Sequence, residues 1–419
     1  MRKSRGTETG APQPTPAPPP GPASKQSLRG LDWLNFFIAD VQTGFGPFLA
    51  VYLTTHAWTQ VEIGIVLTVG GIIGLAGQIP GGALIDAARR KRRLAAYAIG
   101  GIGTSALAIA LWPILPVVLA AKVLHSAASC LVSPAIAAIS LGLVGRKGLG
   151  ERLGRNARFA SVGAGVAAAL MGAIGYELSN RAVFLVTAAF AVPTLFALAQ
   201  IRRVDIDPVR ASGVSRISPP PAPQRRLLVL LENRPLLIFA GCLLFFYLAN
   251  AAMLPLVAGL VTMRAEESAG VLIAACMVAP QIVVALVSPW IGRQADLWGR
   301  RPLLLLAFAA LIARGLLFAI ASHPYALIAI QVLDGLSAAV FAIMLPLVAA
   351  DITRGTGHFN LTQGILGSAM GIGASFSTTL AGYLADAFGG SVAFLGLALV
   401  AFAGLLLLWT ALPETKATQ

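Results

Sequence analysis

Long apolar runs dominate this chain, and short polar stretches interrupt them at nearly even intervals. Twelve runs have the length of a bilayer-crossing helix: about 31–53, 62–85, 94–112, 115–143, 157–178, 182–200, 235–261, 268–291, 302–321, 324–350, 361–385 and 390–412. At ~1.5 Å rise per residue each can cross a hydrocarbon layer of ~30 Å. Three polar segments frame them. Residues 1–30 are basic and then Pro-rich (PQPTPAPPPGP) and lack an apolar h-region. They read as a disordered tail, not a cleaved signal. Residues 201–234 form a linker whose Pro and Arg content opposes a packed core. Its end, LLVLLENR, is either a short amphipathic helix on the membrane surface or the frayed start of the seventh span. Residues 413–419 are a short tail.

The pattern repeats at half length. Residues 82–91 read GALIDAARRK and residues 292–301 read GRQADLWGRR, each between two apolar runs. Asp86 and Asp296 lie 210 positions apart, and so do Asp40 in FFIAD and Asn250 in FFYLAN. KVLHS at 122–126 and QVLDG at 331–335 keep almost the same spacing, as do Gly175-Tyr176 and Gly382-Tyr383. An apolar chain that repeats itself at half length is the mark of a transporter built from two related bundles, here 31–200 and 235–412.

Composition agrees with a multi-span membrane protein: 57% hydrophobic residues, 11% charged, mean hydropathy +0.79. The net charge of +14 would suit nucleic acid, but its distribution argues against that partner. With the N-terminus inside, 27 of the 31 Lys and Arg fall in cytoplasmic segments; only Arg181 and Arg264 fall outside, and Lys122 and Arg314 within spans. This asymmetry predicts both termini in the cytoplasm and an inner face that attracts anionic lipid. Cys130, Cys242 and Cys276 lie in apolar runs and read as small buried hydrophobes, with no disulfide or metal spacing. Gly70, Gly74, Gly77 and Gly81, with Gly367 and Gly371, recur at helical spacing and read as close-packing positions. Pro47, Pro134, Pro255, Pro280 and Pro346 are expected to kink their spans.

The repeated loop resembles the signature between the second and third spans of the major facilitator superfamily, G-x-L-A-D-R-x-G-R-[KR]. Gly292, Asp296, Gly299, Arg300 and Arg301 match it in the second half, and Gly82, Leu84, Asp86, Arg90 and Lys91 in the first. Arg89 stands where the first copy should have its loop glycine, so Asp296 is expected to matter more than Asp86. Each Asp can accept hydrogen bonds from a neighbouring helix N-terminus or pair with an Arg. The resemblance implies an all-α membrane protein of twelve transmembrane helices in two pseudo-symmetric six-helix bundles, working as a monomer. It also implies that the first, fourth, seventh and tenth helices line a central cavity. Asp40, Lys122, His125, Asn250, Gln331 and Asp334 would then form the substrate and proton pathway. The fourth span carries Lys122, His125 and Ser126 where many family members have the Arg, Gln and Gly of R-x-x-Q-G. The fifth span lacks the Gly-Pro dipeptide usual in proton-coupled drug antiporters of the family.

Ionisable groups inside a membrane are costly, and each is a functional candidate. Asp40 and Lys122 form either a pair that breaks on protonation or a static ion pair. His125 is either a proton site or a satisfied buried histidine. Arg314 lies at nearly the depth of Asp334 and reads first as its structural ion-pair partner, with proton coupling second. Arg155, Asn156, Arg158 and Ser161, with Arg354, His358, Asn360 and Gln363, form either an inner gate with Asp86, Asp296 or Asp351, or ordinary solvated helix starts. No GxxxxGK[ST], HExxH or GxSxG motif is present, which argues against an ATP-driven pump and a membrane hydrolase. The reading is therefore a secondary active transporter of the bacterial inner membrane, without enzymatic activity, cofactor or metal. It moves a small organic solute by alternating access, coupled to protons, with export preferred. The alternatives are proton-coupled uptake of a metabolite or organic anion, which Lys122 would bind, and a non-transporting receptor or assembly partner.

Overall fold

The computed structural model describes residues 23–43, 47–88, 90–213, 230, 232–264, 269–321 and 323–416. Their ordered elements are helical. The first half comprises α1 (Lys25–Thr43), α2 (Pro47–Thr55), α3 (Gln60–Ala87), α4 (Lys91–Leu111), α5 (Leu115–Val144), α6 (Leu149–Glu177) and α7 (Asn180–Gln200). A 3-10 turn (Arg203–Asp205) and the short α8 (Pro208–Ala211) follow. The second half comprises α9 (Arg234–Asn250), α10 (Met253–Arg264), α11 (Ala269–Trp298), α12 (Arg301–Ile320), α13 (Pro324–Ile352), α14 (Phe359–Phe388) and α15 (Gly390–Ala411). Among the described residues ten stretches are long and apolar enough to cross a membrane. The remaining two predicted spans correspond to α1 with α2, between which residues 44–46 lie outside the described residues, and to α14, whose first turns carry Asn360, Thr362 and Gln363.

Local chemistry sets the helix ends. Thr59 and Glu62 form a capping box at the start of α3, with Glu62 N–H to Thr59 Oγ1 at 3.2 Å and Thr59 N–H to Glu62 Oε2 at 2.9 Å. Ser179 and Asn233 cap α7 and α9 through their side chains. Proline occupies the first turn of α5, α9, α12 and α13, where no N–H is needed. Gly389 ends α14 at φ +89°, a conformation that costs other residues free energy.

The seventh span is broken rather than continuous. Residues 251–252 form a turn between α9 and α10. The break frees the Ala252 N–H, which donates to Ser377 Oγ on α14 at 2.9 Å. In a membrane such a substitution of side chain for backbone is what lets a helix break.

Two boundaries depart from the sequence reading. Helix α1 begins at Lys25, inside the segment read as tail, because Ser24 and Ser27 bond Asp205 and Ser27 Oγ accepts from Arg202 N–H at 2.9 Å. These hydroxyls hold the Asp205 carboxyl below its usual range. The linker also packs further than its composition suggests: Ile201, Asp207 and Ala211 are buried, and Asp207 N–H donates to Gly142 O at 3.1 Å. Residues 1–22, 214–229 and 231, and with them half of LLVLLENR, lie outside the described residues.

Each half has its own apolar core. One centres on Leu31, Tyr52, Ile102, Ile139 and Phe184, the other on Phe246, Phe308, Phe341, Met344 and Phe394. The halves meet along two seams, α3 against α14 and α6 against α11. Both seams run toward the face where α1 begins and α15 ends, called the terminal face below.

Candidate functional site: a cavity between two clamped bundles

A cavity of about 760 Å³ lies between the halves, with walls from α1, α3, α5 and α6 on one side and α9, α13 and α14 on the other. Its polar groups include Asn35, Gln78, Tyr247, Asn250, Asp334 and Gln363. Among the described lining residues Asp334 is the sole charged one, and the rest of the wall is mainly Ala, Ile, Leu and Phe.

Asp334 belongs to a triad built on a buried arginine. Arg314 on α12 is 1% exposed and pairs with Asp334 on α13 through Nη1. The same nitrogen donates to Asn250 Oδ1 at 2.7 Å, at the break after α9. Phe318, one turn along α12, stacks on the guanidinium with 5.7 Å from Cζ to the ring centroid. The cation is thus enclosed by three helices, while Asp334 keeps 27% of its side chain open to the cavity.

Several predicted pathway residues sit elsewhere. Lys122 lays its aliphatic stem on Gly70 of α3, where a Cβ would collide with it. His125, one turn along, is buried, with Nε2 3.4 Å from Ser129 Oγ. Gln331 is 1% exposed, and its amide finds no partner among the described residues. None of the three lines the cavity. Asp40 lies in α1, but its side chain is outside the described residues. Of the six, the cavity wall includes Asn250 and Asp334.

The repeated loops sit at the terminal-face ends of the seams. Asp86, at the end of α3, accepts from Asn360 N–H (3.1 Å), Asn360 Nδ2 (2.7 Å) and Leu361 N–H (2.8 Å). It therefore caps the N-terminus of α14 across the bundle boundary, where an anion faces the positive helix end. Gly82 makes this possible, since a Cβ there would overlap Asn360 O. On the other seam Gly292 and Gly150 approach backbone to backbone in the same way. Ser161 Oγ donates to Gln281 Oε1 at 2.8 Å, and exposed Arg293 and Glu151 lie 3.7 Å apart.

Asp296 makes no comparable cross-seam bond among the described residues. It lies beside Gly150 and pairs with Arg300 Nη1 at 3.4 Å. Arg300 is buried and also reaches Asp351 Oδ2 (2.8 Å) and Ala295 O (2.7 Å). Glu414 accepts from the N–H groups of Arg300 (2.9 and 3.1 Å) and Arg301 (3.0 Å) and covers Gly299, whose φ is +91°. Burial alone would raise the Glu414 carboxyl; these N–H donors, with Arg300, hold it below its usual range. In the first loop the matching backbone bond comes from Lys91, one position beyond the repeat counterpart of Arg300, with Nζ donating to Ile85 O at 2.7 Å, while Arg90 is exposed.

Asp32 and Arg152, neither singled out from sequence, join Arg155 and Asn156 in one polar network. Asp32 on α1 is 2% exposed and takes a bidentate pair from Arg155 (Nε 3.0 Å, Nη2 2.7 Å) and a bond from buried Arg152. Arg152 Nε continues to Asn156 Oδ1 at 2.8 Å, and Asn156 Nδ2 to Ser140 Oγ at 2.9 Å. Arg155 and Asn156 are thus tied within the first half, while Asn360 and Ser161 join the halves.

Two helical bundles around a shared cavity, joined at one face by helix-capping and glycine contacts, are the build of an alternating-access membrane carrier. The chain belongs to the Major Facilitator Superfamily, whose profile matches residues 32–283 and 265–419. It is a multi-pass membrane transporter of the secondary type rather than an enzyme. Two relatives from Mycobacterium tuberculosis, strains CDC 1551 / Oshkosh and ATCC 25618 / H37Rv, are each described as an uncharacterized MFS-type transporter. Each is 40% identical over 389 residues, covering 92% of this chain and 93% of the relative. The fold is similar to that of the human organic anion transporter MFSD10 (TETRAN), with TM-score 0.68 and 17% identity over 92% of this chain and 100% of that one. It is likewise similar to the proton:xylose symporter XylE bound to 6-bromo-6-deoxy-D-glucose, with TM-score 0.69 and 14% identity over 93% and 96%.

Proposed function

We propose that this chain exports a neutral or cationic small organic solute from the cytoplasm, driven by protons. It lies in a bacterial inner membrane with both termini inside and functions as a monomer. The observation that carries this reading is the cavity wall, where Asp334 is the one charge and no Lys or Arg is present among the described lining residues. A cavity of that character disfavours a carboxylate substrate. Arg314 does not change this, because it is enclosed and already engaged by Asp334 and Asn250. Lys122, the basis for reading the chain as an anion uptake system, lies against α3 instead.

Asp334 is suited to couple protons because it faces both the cavity and a buried cation. Protonation weakens its pairing with Arg314, which then turns fully to Asn250 at the helix break. The seventh span would thereby sense the charge state of the tenth. The clamped terminal face corresponds to one end state of the transport cycle; release of Asp86 from α14 begins the other.

The test uses proteoliposomes with wild type, Asp334→Asn and Asp40→Asn. Asp334→Asn is expected to abolish accumulation driven by a pH gradient while retaining substrate counterflow. An Asp334→Asn protein that responds to the gradient as wild type does would move coupling to Asp40.

A further inference from the structure

Away from the central cavity, a second cavity of about 430 Å³ opens at the terminal face. Its wall comes from three separate parts of the chain: the end of α5 and the α5–α6 loop (Leu141, Val144, Gly145, Arg146, Lys147), the linker (Arg210, Gly213) and the α13–α14 loop (Arg354, Gly355). Four cations line it. Of these, only Arg210 makes an ion pair among the described residues, with Asp207 at 3.4 Å. The other nearby carboxylate, Asp351, is engaged by Arg300 at 2.8 Å.

The floor of this cavity is glycine. Gly145, Gly213 and Gly355 adopt φ of +67°, +72° and +81°, so side chains are disfavoured there. A Cβ on Gly145 would lie 3.7 Å from Arg210 Nη1, and one on Gly213 4.0 Å from Arg146 Nη2. The two guanidinium groups therefore reach over bare backbone. Gly355 N–H donates to Gly213 O at 3.0 Å, which brings the second half against the linker.

We propose that Arg146, Lys147, Arg210 and Arg354 form a binding site for a phosphate-bearing anion, held by guanidinium forks over the glycine floor. Phosphate geometry fits paired N–H donors from arginine, and each such contact is charge-assisted. Burial and the adjacent Arg354 lower the Arg146 pKa, and Asp351 offsets this only in part, so a bound anion relieves an existing strain on the charge. Because the site spans the first half, the linker and the second half, its occupant ties all three together at the terminal face. The anion would then favour the clamped state described above. Both a soluble phosphate compound and an anionic lipid headgroup offer this chemistry.

Two arms separate the sources. In the first, full-length protein in neutral detergent is titrated with inorganic pyrophosphate at ionic strength held constant with chloride, and thermal unfolding is followed. In the second, the protein is placed in phosphatidylcholine nanodiscs with or without phosphatidylglycerol. Arg354 is exposed and unpaired among the described residues, so Arg354→Gln leaves packing intact, and Arg354→Lys preserves the charge. Arg202→Gln with Arg203→Gln removes two exposed charges of the same face that do not line the site. A saturable rise in unfolding temperature with pyrophosphate, weakened about tenfold in apparent affinity by Arg354→Gln, less by the charge-preserving Arg354→Lys and not at all by the Arg202/Arg203 variant, establishes a soluble-phosphate site. The same variant pattern with phosphatidylglycerol alone establishes a headgroup site. No saturable response in either arm, or equal losses in Arg354→Gln and in the Arg202/Arg203 variant, overturns the proposal.

Discussion

The two repeated loops occupy matching places in the two halves, yet they hold the molecule differently. Asp86 reaches across its seam and caps α14 with three hydrogen bonds. Asp296 stays with Arg300 in its own loop and lies 37% exposed. Part of the difference is one residue on the facing helix. Asn360 faces the first loop and Gly150 the second, at corresponding positions of the repeat. Asn360 supplies a side-chain donor as well as its N–H; Gly150 has no side chain to offer. The expectation that the degenerate first loop would do less is thereby reversed in geometry. The missing loop glycine at Arg89 concerns the turn, while the clamp depends on Asp86 and on what it meets. In the second half the better-matched loop spends its arginine on Asp351 and its backbone on Glu414.

This contrast can be broken in graded steps. The largest effect is expected at the backbone contacts. Gly82→Val or Gly292→Val puts branched carbon where Asn360 or Gly150 backbone now sits, so the α3–α14 or the α6–α11 seam, respectively, cannot close. Transport should fall to background, and Ala160→Cys on the cavity wall should become reactive to an impermeant thiol reagent applied from the terminal face. Unchanged reactivity would mean the seams are not the barrier.

A smaller and asymmetric effect is expected at the aspartates. Asp86→Asn removes the charge from three bonds and should weaken the clamped state by about 2 kcal/mol, or about 30-fold in the ratio of end states. Asp296→Asn alters one long, half-exposed pair and should cost about 0–1 kcal/mol. Spin-label distances across the α3–α14 and α6–α11 seams report both ratios. Equal shifts in the two variants would erase the distinction.

Asn360→Ala sharpens the same point. It keeps the two N–H donors and deletes the amide, so about 1 kcal/mol of the Asp86 effect should vanish with it. Asn360→Ala should also leave the α6–α11 distance unchanged.

The smallest effect belongs to the C-terminal segment. Glu414 has a depressed carboxyl pKa, so its contribution is present above the ordinary value of 4.5 and is lost as pH falls through the lower folded value. Residues 413–416 should become protease-sensitive only in that acidic window, and Glu414→Gln should make them sensitive at neutral pH. Protection that persists in Glu414→Gln would show that the segment is held by Arg301 on Trp409 O instead.

The chain spells out its twelve spans plainly, because length and hydropathy suffice for them. Arg314 and Asp334 could be matched by depth alone, since two charges at one level of adjacent spans have few other partners. Rotation of a helix about its axis is another matter. Lys122 and His125 share a face, but which neighbour that face meets is decided by packing, here by the small Gly70 that admits the lysine stem. Asp32 and Arg152 escaped notice because they lie at the ends of apolar runs, where charge is ordinary. Their burial follows from the early start of α6 at Leu149, eight residues before the predicted span, which draws both into contact. The break after Asn250 was likewise hidden, because Ser377, which satisfies the freed Ala252 N–H, lies 125 residues away in sequence.

The enclosed Arg314 also bears on how the chain is made. During synthesis α12 emerges before α13, so its arginine meets the bilayer ahead of the carboxylate that pairs with it. A lone arginine at the centre of a span carries an insertion penalty of about 2.5–3.5 kcal/mol. The rest of α12 is almost entirely Leu, Ala, Phe and Ile, enough apolar surface to carry that penalty. Asp334 follows only 20 residues later, on the returning strand of the same hairpin. The two helices thus form the smallest unit in which both charges are matched, and α12 with α13 would enter the membrane as a pair.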